Sequence, residues 1–252
     1  SFLTDISNVE VHRFKGPHPS GNVGVQIHHI DPVNAGETVW VVGPVDVARI
    51  GAFFTKGFFD ASQTVAVVGP VVRSPIYFKS RIGAAVAPLI KQVGIVADGH
   101  IRVINGDPLS GVAIHADGNL GFYNNTLTIL SEGNRYRMFG WLPFVGTKIF
   151  SMSRTSLSWL MPKRKFALDT NMNGEERALV VTGEMEQVLP MDIFPMQLLK
   201  ECMAQNIEKM EGLGIYEVAP EDFALVDYAS TSKIEAQSIV REALDLMIKE
   251  VG

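Results

Sequence analysis

Imidazole changes charge nearest neutral pH and also ligates metals, so the histidines are the first residues whose spacing could do chemistry. All six, His12, His18, His28, His29, His100 and His115, precede residue 116. On a strand over Val23 to Ile30, His28 and His29 point to opposite faces, His29 with Val23, Val25 and Ile27, and they do not share a metal. His12 falls on the face of Glu10 and Phe14, and no two histidines show the i, i+4 spacing of a helical zinc site. The expectation is a hydrogen-bonded core role for His29 and no metal centre. The phosphate-binding Gly-x-x-x-x-Gly-Lys-Ser/Thr is missing, as is Gly-x-Gly-x-x-Gly after a strand; the glycines between 111 and 121 read as a surface turn. Nucleophile candidates fare no better: there is no Gly-x-Ser-x-Gly, and Cys202, the one cysteine, sits on an apolar helical stripe where packing explains it. Asn173-Gly174-Glu175-Glu176-Arg177 reads as a solvated hairpin, with a partner or an anion as the sharper alternative.

The elements that must position these residues follow from period and turn chemistry. Val9 to Phe14, Val23 to Ile30 and Thr38 to Val42 read as short strands between Gly16-Pro17 and Gly21-Asn22 turns. After Pro44, Val47, Ile50 and Phe54 recur at helical spacing, with Asp46 as N-cap and Gly57 as terminator. From 63 to 130 strands are expected near 64–68, 75–79, 101–104 and 126–130, with a helix around Ala84 to Gln92 that Pro88 begins or kinks and a tight turn at Asn105-Gly106. A sheet crossed by one short helix is a β-grasp arrangement. Beyond 131, strand-like pieces at Tyr136 to Leu142 and Lys148 to Ser153 precede two amphipathic helices. The first follows Pro195 and buries Leu198, Leu199, Cys202 and Met203. The second, from about Ile234, buries Val240, Ala243, Leu244, Met247 and Ile248.

Composition excludes several classes. The 252 residues are 46% hydrophobic and 19% charged, which describes a folding chain rather than a disordered one. The 22 basic and 27 acidic residues give a net charge of −5, and the longest basic run is Lys163-Arg164-Lys165, so no phosphate-tracking nucleic-acid surface is expected. A single cysteine makes no internal disulfide, multi-thiolate zinc site or iron–sulfur ligand set. No apolar run is long enough to span a bilayer, no secretion signal is present, and the net charge fits a soluble chain. The missing initiator methionine, with all ten methionines at or beyond Met138, suggests a piece of a longer polypeptide.

One set of motifs resembles a known family. Gly16-Pro17-His18-Pro19-Ser20-Gly21-Asn22-Val23-Gly24 with His28 and Asp31-Pro32-Val33 is similar to the A subunit of the bacterial Na+-translocating NADH:quinone oxidoreductases. So are Phe139-Gly140-Trp141, Ser153-Arg154-Thr155, Asn173-Gly174 with Arg177, Leu189-Pro190-Met191-Asp192-Ile193-Phe194-Pro195 and Glu221-Asp222-Phe223-Ala224-Leu225. The resemblance implies an α/β and α+β multidomain chain. Residues 1–62 would be the C-terminal part of a Rossmann-like domain and 63–130 a β-grasp, soluble-ligand-binding and ubiquitin-like domain. Residues 131–252 would be a C-terminal domain of mixed strands and two amphipathic helices. It further implies a peripheral subunit on the cytoplasmic face of the bacterial inner membrane, docked on the membrane-embedded B subunit, with no catalytic group of its own. NADH, flavins and the iron centre would lie on other subunits and no cofactor on this piece, although quinone contact is possible. His18, His28 and Arg154 are the motif-matched quinone-proximal donors, expected beside an apolar cleft for the tail. The sequence departs from the family between Leu225 and Lys233, where cysteines would be expected, so no thiol role is carried over. A stand-alone β-grasp module that binds a ligand or a protein is the competing reading.

Overall fold

The computed structural model describes residues 6–97, 99–133, 150 and 157–251. Among them the elements run α1 (Val23–Ile30), α2 (Pro44–Lys56), β1 (Ser62–Val68), β2 (Ile76–Arg81), α3 (Ala87–Val93), β3 (Ile101–Asn105), β4 (Val112–Ile114), β5 (Thr126–Ser131), α4 (Pro195–Met203), α5 (Ile207–Gly212), α6 (Ala224–Ala229) and α7 (Ala236–Glu250), with short 3₁₀ turns between some of them. The chain is a mixed α/β protein that divides into two compact units. One unit gathers 1–40, 178–230 and 234–252; the other gathers 41–177 and 231–233.

The second unit is built on a five-stranded mixed sheet of order β2-β1-β5-β3-β4. β1 pairs antiparallel with β2 and parallel with β5, in the register Ala66↔Thr126 and Val68↔Thr128. β5 sits centrally and is apolar or buried on both faces, from Leu127 through Leu130, as a strand covered on two sides must be. Val65 and Val67 of β1 alternate inward, and α3 closes one face with Val86 and Val93 in the same core as Leu127 and Ile129. Pro88 stands in the first turn of α3, where its missing N–H costs nothing. The sequence pattern captures these strands and this helix. It misses β4, whose three residues are too few to carry a period. The expected tight turn at Asn105-Gly106 is corrected: Asn105 is buried in β3, and the connection runs on to Gly111. Asp107 shapes it by accepting from the N–H groups of Leu109 at 2.7 Å and Ser110 at 3.0 Å.

The first unit has a core of helices. α4 buries Met196, Leu198, Leu199 and Cys202, and α7 buries Ala236, Val240, Ala243 and Met247, at the three- and four-residue spacing the sequence predicts. Two residues expected in that core are instead exposed: Met203 closes α4 at its last, outward position, and Ile248 is 71% exposed on the far side of α7. Burial pushes the Cys202 thiol up to about 11, the behaviour of a packing residue rather than a nucleophile. Asp227 of α6 fixes the start of α7 by accepting from the backbone N–H of Ala236 and the side chain of Gln237, the latter at 2.7 Å.

Three further expectations are corrected. Val23 to Ile30 is a helix, not a strand, and 9–14 and 38–42 form neither strand nor helix. Alternation at Val23, Val25 and Ile27 fits either period over so short a run. Contacts to residues some 160 to 200 positions away choose the helix. α2 starts at the Gly43 cap with Pro44 in its first turn, so Asp46 lies inside it and pairs with Arg49 at 2.8 Å; Gly57, at φ 72°, ends it as expected. Asn173 to Arg177 forms no hairpin. Tyr136 to Leu142 lies outside the described residues, as does all of Lys148 to Ser153 except Phe150.

Candidate functional site

Within the first unit the fold lays α1 against the Leu189–Pro195 segment and the turns that precede α6. Two motifs far apart in sequence therefore meet. The backbone N–H of Asp192 donates to Nε2 of His28 at 2.9 Å. That nitrogen must then be an acceptor, which places the proton on Nδ1, where it donates to the Glu217 carboxylate at 2.8 Å. Its neighbour takes the opposite tautomer: Nε2 of His29 donates to the Pro190 carbonyl at 2.9 Å. The two rings meet edge to face with centroids 5.3 Å apart, and Phe14 flanks His29. His28 is nearly buried at the side chain, 8% exposed, with Glu217 at 26%.

A second set of contacts holds the start of α1. Asn22, its N-cap, donates from its side chain to the Glu221 carbonyl at 3.0 Å. Asp222 lies beneath the first turn, 1% exposed, with one carboxylate oxygen accepting from the Ala219 N–H at 3.1 Å and the other without a partner. Gly24 is required here, because a Cβ would sit 2.0 Å from that carboxylate.

Burial holds the Asp222 carboxyl above the ordinary aspartate range, against the Ala219 N–H, which pulls it down. A carboxyl raised on folding binds its proton more tightly in the folded state. Its contribution favours folding below the unfolded pKa and is lost as pH rises through the folded one. Ionised Asp222 is therefore a cost at neutral pH. Asp222→Asn is expected to raise the melting temperature at pH 7, with the gain shrinking as the pH falls through the raised value. Thermal melts of both proteins across that range check it; a loss of equal size at every pH would mean that the carboxylate is needed for its hydrogen bonding.

His18 lies apart from this junction. It lines a cavity of about 530 Å³ with Phe14, Lys15, Gly16, Ser20 and Gln26. Its wall mixes polar and apolar surface, and is not the apolar cleft expected beside a quinone tail. The three candidate donors thus separate: His28 has both ring nitrogens engaged within the chain, His18 opens on the cavity, and Arg154 lies outside the described residues. Sequence reasoning missed Glu217, Asp222 and Gly24 as partners. Gly24 and Asp222 stand inside quoted motifs, but nothing local marks Glu217, whose role exists only through a contact across 189 residues.

Among the described residues no helix is long and apolar enough to cross a membrane, and no grouping of three or more His, Cys, Asp or Glu could hold a metal ion.

The class that this arrangement represents follows from comparison with known proteins. Residues 1–59 match the family model described as the NqrA second alpha/beta domain, and residues 64–116 that described as the NQRA C-terminal domain. Along the chain, 251 residues are 36% identical to the A subunit of the Na(+)-translocating NADH-quinone reductase of Yersinia pestis bv. Antiqua (strain Angola), covering 98% of this chain and 56% of that protein. The corresponding subunit of Rhodopirellula baltica is 36% identical over 247 residues, covering 98% and 54%, and that of Hahella chejuensis 37% identical over 251, covering 98% and 55%. Along 98% of its length the chain is thus similar to NqrA, the A subunits of the Na+-translocating NADH-quinone reductases, and it spans about half the length of the curated relatives it matches.

Proposed function

We propose that the chain works as part of the NqrA subunit in a Na+-translocating NADH-quinone reductase, an oxidoreductase that couples electron flow from NADH to quinone with sodium export. The observation that carries this reading is the 36% identity over 98% of the chain, which includes both motifs that meet at His28. In this reading the chain supplies structure rather than chemistry. It docks on the other subunits, the membrane-embedded B subunit above all, at the cytoplasmic face of the bacterial inner membrane, while NADH, flavins and the iron centre reside on those subunits. Residues 1–62 are read as part of a Rossmann-like domain and 63–130 as a β-grasp unit, followed by a C-terminal domain over 131–252. The parallel pairing of the unit's first and last strands, with α3 packed on the sheet, supports the β-grasp reading.

Quinone contact is proposed at the His-Pro segment, with His18 as the donor because it lines an open cavity; Arg154 is the second candidate. His28 serves this site by position, holding α1 to the Leu189–Pro195 segment. The role is tested by replacing the matching stretch of the Yersinia pestis NqrA with this chain and purifying the pump. Co-purification of the hybrid with the remaining subunits supports the reading, and a folded hybrid that leaves them behind overturns it. Calorimetric titration of the hybrid pump with a short-chain ubiquinone, with and without His18→Ala, tests the contact: loss of a binding event is expected, and unchanged binding removes His18 from the site.

A further inference from the structure

One stretch of the sequence runs against the charge of the whole. Residues 133–168 hold seven of the chain's 22 basic residues and none of its 27 acidic ones, which leaves 15 basic against 27 acidic residues, a charge of −12, for the rest. Its described part includes a 3₁₀ turn, Leu157–Leu160, followed by the basic run Lys163-Arg164-Lys165. The Met161 N–H donates to the Ser158 carbonyl and the Arg164 N–H to the Met161 carbonyl, each at 3.0 Å, which winds the segment tightly. Its apolar side chains face outward: Trp159 is 50% exposed, Leu160 58% and Met161 48%. Lys163 and Lys165 are exposed beside them, and none of the three basic side chains pairs with a carboxylate among the described residues. Arg164 instead lies over the Phe166 ring, 6.0 Å from its centroid, and Phe166 meets Phe150 edge to face at 5.5 Å. The run is thus anchored by its middle residue, with a lysine in solvent on either side.

An apolar protein face does not cover such a patch, because burying ammonium groups without carboxylate partners is strongly unfavourable. The surface that covers it carries negative charge and takes up apolar side chains at the same place. Neighbouring side chains leave a 3₁₀ turn about 120° apart, so Trp159 and Leu160 project in different directions. A flat acidic protein face meets one of them, whereas a fluid interface surrounds both. Tryptophan and aliphatic side chains beside lysines also have the composition that settles where lipid headgroups meet acyl chains. We propose that Trp159, Leu160 and Met161, with Lys163 and Lys165, form a direct contact with an anionic lipid surface. The apolar turn enters the headgroup boundary and the two lysines bind the lipid phosphates around it. This contact goes beyond the docking on partner subunits proposed above, since it is made to the bilayer itself and needs no other chain.

The test is co-sedimentation of the whole chain with vesicles of phosphatidylethanolamine and phosphatidylglycerol, set against vesicles of phosphatidylcholine alone. Binding is expected on the anionic vesicles only, and it should weaken as salt is raised. Replacing both exposed lysines, Lys163→Gln with Lys165→Gln, should weaken it about 30-fold, and Leu160→Ser with Met161→Ser about tenfold. All four positions are exposed, so thermal melts of both double variants should match the wild type. Phe54→Ser on α2, an exposed apolar residue of another surface, should leave vesicle binding unchanged. Four results would overturn the inference: no binding to either vesicle, equal binding to both, binding unmoved by the two double variants, or binding lost with Phe54→Ser. Loss of the remaining pump subunits from a hybrid carrying the lysine variant, with vesicle binding intact, would make the patch a protein contact and overturn it as well. A chain that binds anionic vesicles as expected while its hybrid fails to join the pump counts against the pump role alone. A hybrid that joins the pump, from a chain that ignores the vesicles, counts against the lipid contact alone.

Discussion

Gly69→Ala is expected to destabilise the sheet unit by about 4 kcal/mol. Two independent costs combine at this position. Its φ of 137° lies where an L side chain is strained, and an ideal Cβ would stand 2.0 Å from the carbonyl oxygen of Ile129, with the carbonyl carbon and amide nitrogen of that residue also within 3 Å. The obstructing atoms are backbone of β5, the central strand, so no side-chain rotation relieves them. Gly57→Ala is the control, because Gly57 has a positive φ of 72° but open space around its Cβ position. It is expected to cost only about 1 kcal/mol. Urea denaturation of the three proteins, followed by a probe in the sheet, separates steric cost from conformational cost. Equal losses at both positions would show that β5 gives way.

His28→Ala is expected to cost about 3 kcal/mol, because it strands two partners at once. Glu217 loses the Nδ1–H that satisfies its carboxylate, and the Asp192 N–H loses its acceptor in a nearly buried place. His28→Asn retains a donor toward Glu217 but no acceptor for Asp192, and should fall between alanine and wild type. His29→Ala removes one bond from an exposed ring and is expected to cost about 1 kcal/mol. Chemical denaturation gives the energies, and hydrogen exchange at Asp192 reports whether its amide has opened. A double-mutant cycle with Glu217→Gln should show strong coupling to His28 and little to His29. An additive cycle would mean that the pair is incidental to the packing of α1.

What was legible in the sequence was the part whose signal repeats. α4 and α7 carry a 3.6-residue period over nine and fifteen residues, and α2 is bracketed by Pro44 and Gly57, so their existence follows from pattern alone. β1 and β5 are compact β-branched runs between turn residues. Val23 to Ile30 was not legible as a helix, since eight residues hold too few turns to separate the two periods. The deciding contacts, Asn22 to Glu221 and His28 to Glu217, are absent from any local window. Val9–Phe14 and Thr38–Val42 have strand composition without strand partners, because composition records what a segment suits and not whether a neighbour is present. The site divides in the same way. The motif resemblance marked His18 and His28, whereas the tautomer of His28, the buried Asp222 and the need for Gly24 follow only from geometry.

The central claim, that this chain takes the place of the matching half of NqrA in a sodium-pumping NADH-quinone reductase, is tested most directly by the turnover of the hybrid pump. Na+-stimulated quinone reduction by NADH should be restored in membranes that carry the hybrid in place of the native NqrA, and it should fall with His28→Ala in proportion to the loss of folded protein. A hybrid that accumulates folded in those membranes yet supports no Na+-stimulated reduction would contradict it.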